Sequence, residues 1–425
     1  MIEKVSLLNS KRDFLAFVFL LCFILFYSLL INYNNYKILT RFDSAIVNAT
    51  ILKQYTKTKL NKRGKLKTYQ VLKLKADEGF TFYTAKPMKF KSLIAKKVQI
   101  EIWPKEMNFY KFLSNFYASS KVLSIEKKTS LKEHLNLVIA EQHDNQDIAK
   151  LYQALFSATS LPKDLQTLFS TLGVSHLIAI SGFHLGVLSA LLFFLVKYPY
   201  KFLQNRYFPY RSYHRDSFFI LASVLLAYLL FLDTPPSLLR AFAMLVVGFI
   251  LYDRGVEIIS MQTLFITLML LLALFPLLIF SIGFWLSVCG VFYIFLFLIY
   301  FKHLSKIWQF LLLPLWVYLM MLPFSLAIFG NFSFYHPLSI IWTSLFTLFY
   351  PLSILLHLIN YGDLFDPLLY RFMSLDVGES KVYMSLTYVG VQVALSLLAL
   401  YKKVFLYLLI FFVSLLFIYA IYHIT

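Results

Sequence analysis

The chain has 425 residues, of which 60% are hydrophobic and 14% charged, and it carries a formal net charge of +19. A mean hydropathy of +0.70 excludes an ordinary soluble globular domain. The two cysteines, Cys22 and Cys289, lie inside apolar runs, so no disulfide framework is expected.

Long apolar runs predict that the chain crosses a membrane several times. About 18 or more consecutive apolar residues span a bilayer core. The first run, Phe14–Ile31, follows Lys11 and Arg12 and has no small-residue cleavage site after it. We therefore predict an uncleaved anchor over residues 1–31 with its N-terminus in the cytoplasm. With the later runs, the sequence predicts roughly eight to ten membrane segments.

Residues 32–130 hold most of the positive charge. They contain 21 Lys and Arg against 6 Asp and Glu, whereas the other 326 residues contain 19 against 15. Apolar and polar residues alternate at period two over 69–75 and 98–103, which is typical of half-buried strands. We predict about five short strands forming a small OB-like β-barrel. Long domains translocate largely regardless of charge, so this basic barrel is expected outside the cytoplasm.

The first turn of the predicted barrel is strongly basic and has aromatic neighbours. Its basic residues are Lys57, Lys59, Lys62, Arg63, Lys65 and Lys67, and the aromatic residues are Tyr55, Tyr69, Phe82, Tyr83 and Trp103. A basic groove with aromatic faces is how proteins bind single-stranded nucleic acid. The net charge of +15 in this segment exceeds what solubility requires, so a polyanionic partner is indicated. For any one aromatic residue, packing in the barrel core is the favoured alternative.

The remainder of the chain divides into a linker and a membrane domain. Residues 131–175 are predicted to be amphipathic linker helices, and residues 176–425 a channel-type transmembrane domain. The basic loop 197–216 is expected in the cytoplasm, whereas the acidic segment 360–381 is expected outside. Strict alternation of segments places 360–381 inside instead. One apolar segment is therefore predicted to be re-entrant.

A cluster of polar residues lies at the mouth of the next apolar helix. His176, Ser181 and His184 occur within nine residues there, and ionisable groups at a membrane border require a reason. Neither a Gly-x-Ser-x-Gly sequence nor an acidic residue accompanies them, so neither a hydrolase nor a metal site is indicated. Gly182, Gly186 and Ala190 form a ladder of small residues that predicts close helix packing. A packed helix mouth with hydrogen-bonded histidines is the favoured interpretation, and the lining of an aqueous pore is the functional alternative.

A second cluster places an arginine near the start of another apolar helix. Pro235 and Pro236 break the chain, Ser237 caps a new helix, and Arg240 follows in its first turns. Intramembrane arginines usually face a water-filled cavity or a partner. Arg240 is therefore a candidate phosphate contact in a pore. Snorkelling to the headgroups, or pairing with Asp233, remains the alternative.

In chain order, these sequences resemble the motifs of the ComEC competence family, bacterial inner-membrane proteins that import transforming DNA. Gly173–Gly186 is similar to that family's Gly-x-x-His-Leu-x-Ala-Ile-Ser-Gly-x-His signature, and 236–241, 283–288 and 331–337 resemble further motifs. The resemblance runs from the anchor to about residue 360. It implies a multi-pass inner-membrane protein with a periplasmic barrel and a channel for single-stranded DNA. The implied pore or DNA contacts are His176, Ser181, Gly182, His184, Gly186 and Arg240.

The resemblance also implies a division of labour with other proteins. Larger members end in a metallo-β-lactamase-like domain, but its His-x-His-x-Asp-His cluster does not occur here, so a short form without metal, cofactor or catalytic residues is expected. The membrane potential opposes each phosphate by about 2.3 kcal/mol per 100 mV. Since the sequence has no phosphate-binding loop of the Gly-Lys-Ser/Thr type, a separate cytoplasmic ATPase or helicase motor is expected. The lipid bilayer, a periplasmic DNA receptor and further copies of the chain complete the expected partners.

Two other functions stay open at this point. A transporter or exporter of another anionic polymer would also use an intramembrane Arg240, but it has little need for a basic barrel outside. A membrane-embedded hydrolase would use His176, Ser181 and His184.

Overall fold

The computed structural model describes residues 10–60, 66–88, 93–94, 96–104, 107–126, 130–254, 259–375, 378 and 380–423. These residues form two compact units. The first, called the β unit, lies within Leu8–Lys163 and Met269–Ser281, and the second, called the helical unit, lies within Asp164–Leu268 and Ile282–Thr425.

The β unit begins with the 29-residue helix α1 (Lys11–Leu39). Ser10 caps it: the Ser10 hydroxyl accepts from the Asp13 backbone N–H, and the Asp13 carboxylate accepts from the Ser10 N–H. This reciprocal pair fixes where the predicted anchor starts. The elements that follow are β1 (Ala45–Leu60), β2 (Leu66–Ala76), β3 (Thr81–Lys86), β4 (Lys97–Trp103), α2 (Phe109–Leu113), β5 (Phe116–Tyr117) and β6 (Ser119–Ile125).

The six strands form one curled sheet in the order β5-β3-β2-β1-β4-β6. All neighbours are antiparallel except β3 and β5. Only Ala118 separates β5 from β6, so one stretch of chain borders both edges and the sheet forms a half-barrel. Six strands are present rather than the predicted five because the last one is interrupted at Ala118. The core is apolar and includes Ile51, Leu72, Leu74, Phe82 and Ile100.

Two helices, α3 (Leu131–Glu141) and α4 (Gln146–Ser157), also belong to the β unit. Ser130 and Asn145 cap them through their side chains. A buried polar contact joins the helices, because the Ser157 hydroxyl donates to the Asn136 side-chain oxygen over 2.7 Å. Helix α4 buries an apolar stripe at helical spacing, as predicted for an amphipathic segment, and the stripe comprises Ile148, Leu151, Tyr152 and Leu155.

The helical unit contains most of the membrane segments. Its helices are α5 (Lys163–Thr171), α6 (Ser175–Ile178), α7 (Gly182–Tyr207), α8 (Tyr213–Phe231), α9 (Pro236–Asp253), α10 (Met261–Leu274, which ends in the β unit), α11 (Ile282–Tyr300), α12 (Lys306–Ile328), α13 (Ser339–Leu358), α14 (Asp366–Met373), α15 (Leu386–Leu398) and α16 (Lys403–Tyr422). Short strands β7 (Asn331–Phe332) and β8 (Ser380–Lys381) complete it.

In the part of the chain that the structure describes, eight helices are long and apolar enough to cross a membrane. They are α1, α7, α8, α9, α11, α12, α13 with its 3₁₀ start at His336, and α16. The apolar helices α10 and α15 have 14 and 13 residues, or about 20 Å at 1.5 Å per residue, against a hydrocarbon core of about 30 Å. The predicted fold class, a polytopic α-helical membrane protein with a small N-terminal β domain, is confirmed.

The chain doubles back after α13, at the point where strict alternation of segments fails. Strand β8 pairs with β7, so residues 380–381 lie beside 331–332 at the same end of the unit. The return runs along α13, because Phe365 lies 5.3 Å from Phe349 and Phe372 lies 4.7 Å from Trp342 between ring centroids. The end of the acidic segment 360–381 therefore lies beside the uncharged loop 331–337, whereas the segment starts at the opposite, C-terminal end of α13.

Candidate functional site

Ser181 and His184 together form the start of helix α7. The Ser181 hydroxyl accepts from the Phe183 backbone N–H, and the His184 Nδ1 accepts from the Ser181 N–H, each over 3.3 Å. This is a capping box in which a histidine replaces the usual Glu or Gln. Since Nδ1 accepts a hydrogen bond, the neutral ring carries its proton on Nε2. The first role of both residues is therefore to begin the helix.

The two histidines of the cluster have different surroundings. His184 is fully buried, with its ring edge-on to Tyr350 at 4.7 Å and to Phe346 at 5.2 Å, and its Nε2 has no hydrogen-bond partner among the described residues. His176 is exposed, and its Nε2 lies 3.2 Å from the Thr343 hydroxyl of α13. The histidines thus attach α6 and α7 to α13. Within the described ranges, no group of three His, Cys, Asp or Glu side chains is placed to hold a metal ion.

Arg240 is buried inside the helical unit with only neutral partners. Its side chain is 6% exposed; Nε donates to the Ser287 hydroxyl over 2.8 Å and Nη1 approaches the Met244 sulfur at 2.9 Å. Among the described residues it forms no ion pair with Asp233 or any other carboxylate. Pairing with Asp233, one of the two alternatives from the sequence, is therefore absent among the described residues.

The glycine ladder packs closely at one position only. A Cβ atom at Gly182 would lie 2.9 Å from the Arg240 Nη2 and 3.0 Å from the Ala241 Cβ. A Cβ atom at Gly186 would meet nothing within 4 Å, and Ala190 is exposed. The predicted close packing is therefore correct at Gly182 and wrong at Gly186, where the described residues place no atom within 4 Å of an added Cβ.

The loop after β7 also contacts the residues that lead into the His176–His184 cluster. Gly173 has a φ of +74°, and a Cβ atom there would lie 2.8 Å from the Nδ1 of buried His336. The same Nδ1 lies 3.1 Å from the Tyr318 hydroxyl. The Ser333 hydroxyl donates to the Thr171 carbonyl over 2.8 Å. His336 was contained in the fourth sequence motif, but its contact with Gly173 had no sequence signal.

All four motifs that carried the family resemblance therefore converge in the helical unit. The Ser237 hydroxyl donates to the Ile180 carbonyl over 3.1 Å, which joins the second motif to the first. Arg240 joins the second to the third through Ser287, and Gly173 joins the first to the fourth through His336. Residues spread over 160 positions form one cluster at the N-terminal ends of α7, α9, α11 and α13.

The basic residues predicted to bind nucleic acid lie on the outer face of the β unit. Lys57, Lys59 and Lys67 are exposed, whereas Lys62, Arg63 and Lys65 lie outside the described residues. Lys59 is directly opposite Lys67, and Lys53 is directly opposite Lys73. Residues two apart on a strand share a face. We call the outer surface formed by nine residues the Lys–Tyr face: Lys53, Tyr55, Lys57, Lys59, Lys67, Tyr69, Lys73, Tyr83 and Tyr117.

The tyrosines of this face are grouped near the lysines. Tyr83 stacks on Tyr117 with centroids 5.0 Å apart and planes at 21°, and the Lys73 ammonium lies 5.6 Å from the Tyr83 ring. Partial burial and the Tyr117 hydroxyl raise the pKa of Tyr55 to about 12, so that hydroxyl stays neutral. Partial burial, with Lys53 opposite, lowers the pKa of Lys73.

The aromatic residues named from the sequence separate into two groups. Phe82 is fully buried in the core and Trp103 lies on β4, whereas Tyr55, Tyr69 and Tyr83 lie on the Lys–Tyr face. Sequence reasoning missed three members of that face: Lys53, Lys73 and Tyr117. The alternation of lysine and tyrosine at 53, 55, 57 and 59 was the available signal for the first of them.

A family model described as "Competence protein" matches residues 157–424, which include the whole convergent cluster. The chain belongs to the competence protein family. Membership gives the protein a role in DNA uptake. No curated protein and no solved structure matches the chain. The matched part is called the competence domain below.

Replacing Ser181 by Ala tests whether the competence domain uses this serine chemically. We expect a loss of about 1 kcal/mol in stability, because the helix cap is removed, and only a modest fall in DNA uptake. The measurements are the thermal midpoint of the purified protein and the transformation frequency. Ser189→Ala is the matched control, since that hydroxyl donates only to the Gly186 carbonyl of its own helix. Complete loss of uptake with normal folding would favour a catalytic serine instead.

Proposed function

We propose that the protein is an inner-membrane channel that passes single-stranded transforming DNA into the cytoplasm, with the β unit as its DNA-binding part. The observation that carries the proposal is the Lys–Tyr face, in a chain whose other unit is a competence domain. We further propose that the sheet is of the OB type and lies on the periplasmic side.

The charge arrangement of the Lys–Tyr face favours a polyanion. Like charges directly opposite each other across two strands destabilise a sheet. Lys59 with Lys67, and Lys53 with Lys73, form two such pairs on one face. Six residues separate the pairs along β1, or about 20 Å at 3.4 Å per residue. Phosphates bound between the lysines would offset the repulsion, so the face is more stable with a nucleic acid on it.

The tyrosines distinguish DNA from other anionic polymers. An exporter of an anionic polysaccharide needs cationic residues, but its substrate has no bases that could stack on aromatic rings. The stacked pair Tyr83 and Tyr117, with Tyr55 and Tyr69 beside it, offers flat surfaces of the kind on which unpaired bases stack. Bases inside a duplex are not available for such stacking. These residues therefore support single-stranded DNA as the substrate over the exporter alternative.

Transport is proposed to depend on other proteins for energy. The membrane potential opposes the inward movement of each phosphate by about 2.3 kcal/mol per 100 mV. We propose that a cytoplasmic ATPase pulls the strand and that a separate periplasmic receptor delivers it. The chain itself is proposed to bind and conduct DNA without catalysis.

A deletion strain supplied with labelled DNA tests the proposal. Counting label in the periplasm and in the cytoplasm separately should show normal periplasmic DNA and no cytoplasmic DNA, since only the inner-membrane step is removed. Complementation with the wild-type gene is the control. Unchanged cytoplasmic label in the deletion strain would contradict the channel.

A further inference from the structure

We infer that the convergent cluster of the competence domain is an anion site for one phosphate group, centred on the Arg240 guanidinium. The assignment of that phosphate to the DNA backbone rests on the proposed function. The charge of Arg240, the orientation of the helices around it and the close approach of Gly182 indicate the site itself.

The charge of Arg240 lacks a counter-ion. Its side chain is 6% exposed, and its polar contacts are a serine hydroxyl and a thioether sulfur. A guanidinium has five N–H donors, and these contacts occupy two of them. A buried charge without a partner is strongly destabilising, so proteins retain one where an anion binds. No carboxylate among the described residues neutralises it.

Helix orientation adds positive potential at the same place. Gly182 is the first residue of α7, Arg240 and Ser287 lie within the first two turns of α9 and α11, and Thr343 lies in the second turn of α13. The N-terminal end of each helix carries about half a positive charge. Three such ends, those of α7, α9 and α11, therefore lie beside one buried guanidinium. The start of α13 belongs to the same cluster through its contact with His176. Helix N-termini directed at an anionic group are a recurrent substrate site in membrane transporters.

Gly182 lets the start of α7 approach the guanidinium closely. A Cβ atom at this position would lie 2.9 Å from the Arg240 Nη2, so any larger residue would press against the unused donors. Ser287 accepts from Nε and the Met244 sulfur from one N–H of Nη1, which leaves the second N–H of Nη1 and both N–H groups of Nη2 for a ligand. The geometry of the guanidinium fork matches two oxygens of a phosphate. Buried His184 is a further neutral donor in the same cluster.

Arg240→Met separates an anion site from a structural arginine. Methionine replaces the unbranched apolar stem of the arginine and removes the uncompensated charge, so the thermal midpoint of the purified full-length protein should equal or exceed that of the wild type. In neutral detergent, inorganic phosphate should raise the wild-type midpoint by about 2 °C or more and leave that of Arg240→Met unchanged. Cytoplasmic uptake should fall at least tenfold while periplasmic label stays normal.

Each other outcome overturns the inference without touching the proposed function. A lower midpoint for Arg240→Met would show that Arg240 stabilises the fold rather than binding an anion. Normal DNA uptake by this variant would show that the site is not needed for transport, whereas the result of the deletion strain would be unaffected. Arg240→Lys keeps the charge but lacks the two-pronged guanidinium, so phosphate should raise its midpoint by less than it raises that of the wild type. An equal rise would show that two-pronged binding by the guanidinium is not needed. If nanodiscs containing phosphatidylglycerol stabilise the wild type but not Arg240→Met, and inorganic phosphate stabilises neither, the site binds lipid headgroups and the assignment to DNA fails.

Discussion

Gly173→Ala is expected to destabilise the competence domain by about 3 kcal/mol and to abolish DNA uptake. Two costs add at this position. The φ of +74° is a left-handed conformation, which costs a non-glycine residue about 1–2 kcal/mol. The new Cβ would also lie 2.8 Å from the Nδ1 of buried His336, and overpacking costs about 1–3 kcal/mol. His336 has little room to move, since it is held by Tyr318.

The measurement is the thermal midpoint in detergent together with transformation frequency in cells. Gly390→Ala is the matched control, because Gly390 lies in helix α15, is exposed, and has no atom within 4 Å of an added Cβ. Alanine in a helix interior is favoured over glycine by up to about 1 kcal/mol, so this control should be neutral or slightly stabilising. Equal midpoints for the two variants would show that Gly173 and His336 are not in contact.

The fold could be predicted from the sequence where the signal is local. Period-two alternation identified the strands around 69–75 and 98–103, and long apolar runs identified the membrane helices. The sequence indicated the return of the chain after α13 only indirectly. Strict alternation of membrane segments places residues 360–381 inside, whereas their acidic charge places them outside. The position of the return depends on the pairing of β7 with β8 and on ring contacts between α13 and the chain after it, which are long-range packing effects.

The candidate site shows the same division between local and long-range information. The spacing of Ser181 and His184 is that of a capping box, so their role at the helix start was available from the sequence. The sequence showed that placing the charge of Arg240 inside a membrane helix is costly. It could not show whether the side chain snorkels, pairs with Asp233 or is held by neutral partners. That distinction needed Ser287, which is 47 residues away in the chain.

The second large effect is expected from the Lys–Tyr face. Replacing Lys57, Lys59 and Lys67 together by Gln should lower the affinity of the full-length protein for labelled oligo-dT about a hundredfold at 0.1 M salt. Each phosphate contact to a single strand contributes about 0.7 to the slope of log affinity against log salt concentration. The slope should therefore decrease in magnitude by about 2.

A control with the same change in net charge separates local contacts from general electrostatics. In Lys97, Lys121 and Lys150 the charge is already matched by a carboxylate: Lys97 pairs with Asp77 at 3.5 Å, Lys150 with Asp147 at 2.9 Å, and Lys121 lies opposite Glu101. Replacing these three by Gln should change the affinity by less than about threefold, since compensated cations release few counterions from DNA. Equal losses in the two triple variants would mean that DNA responds to net charge alone. The Lys–Tyr face would then lose its role, whereas Arg240 and the competence domain would keep theirs.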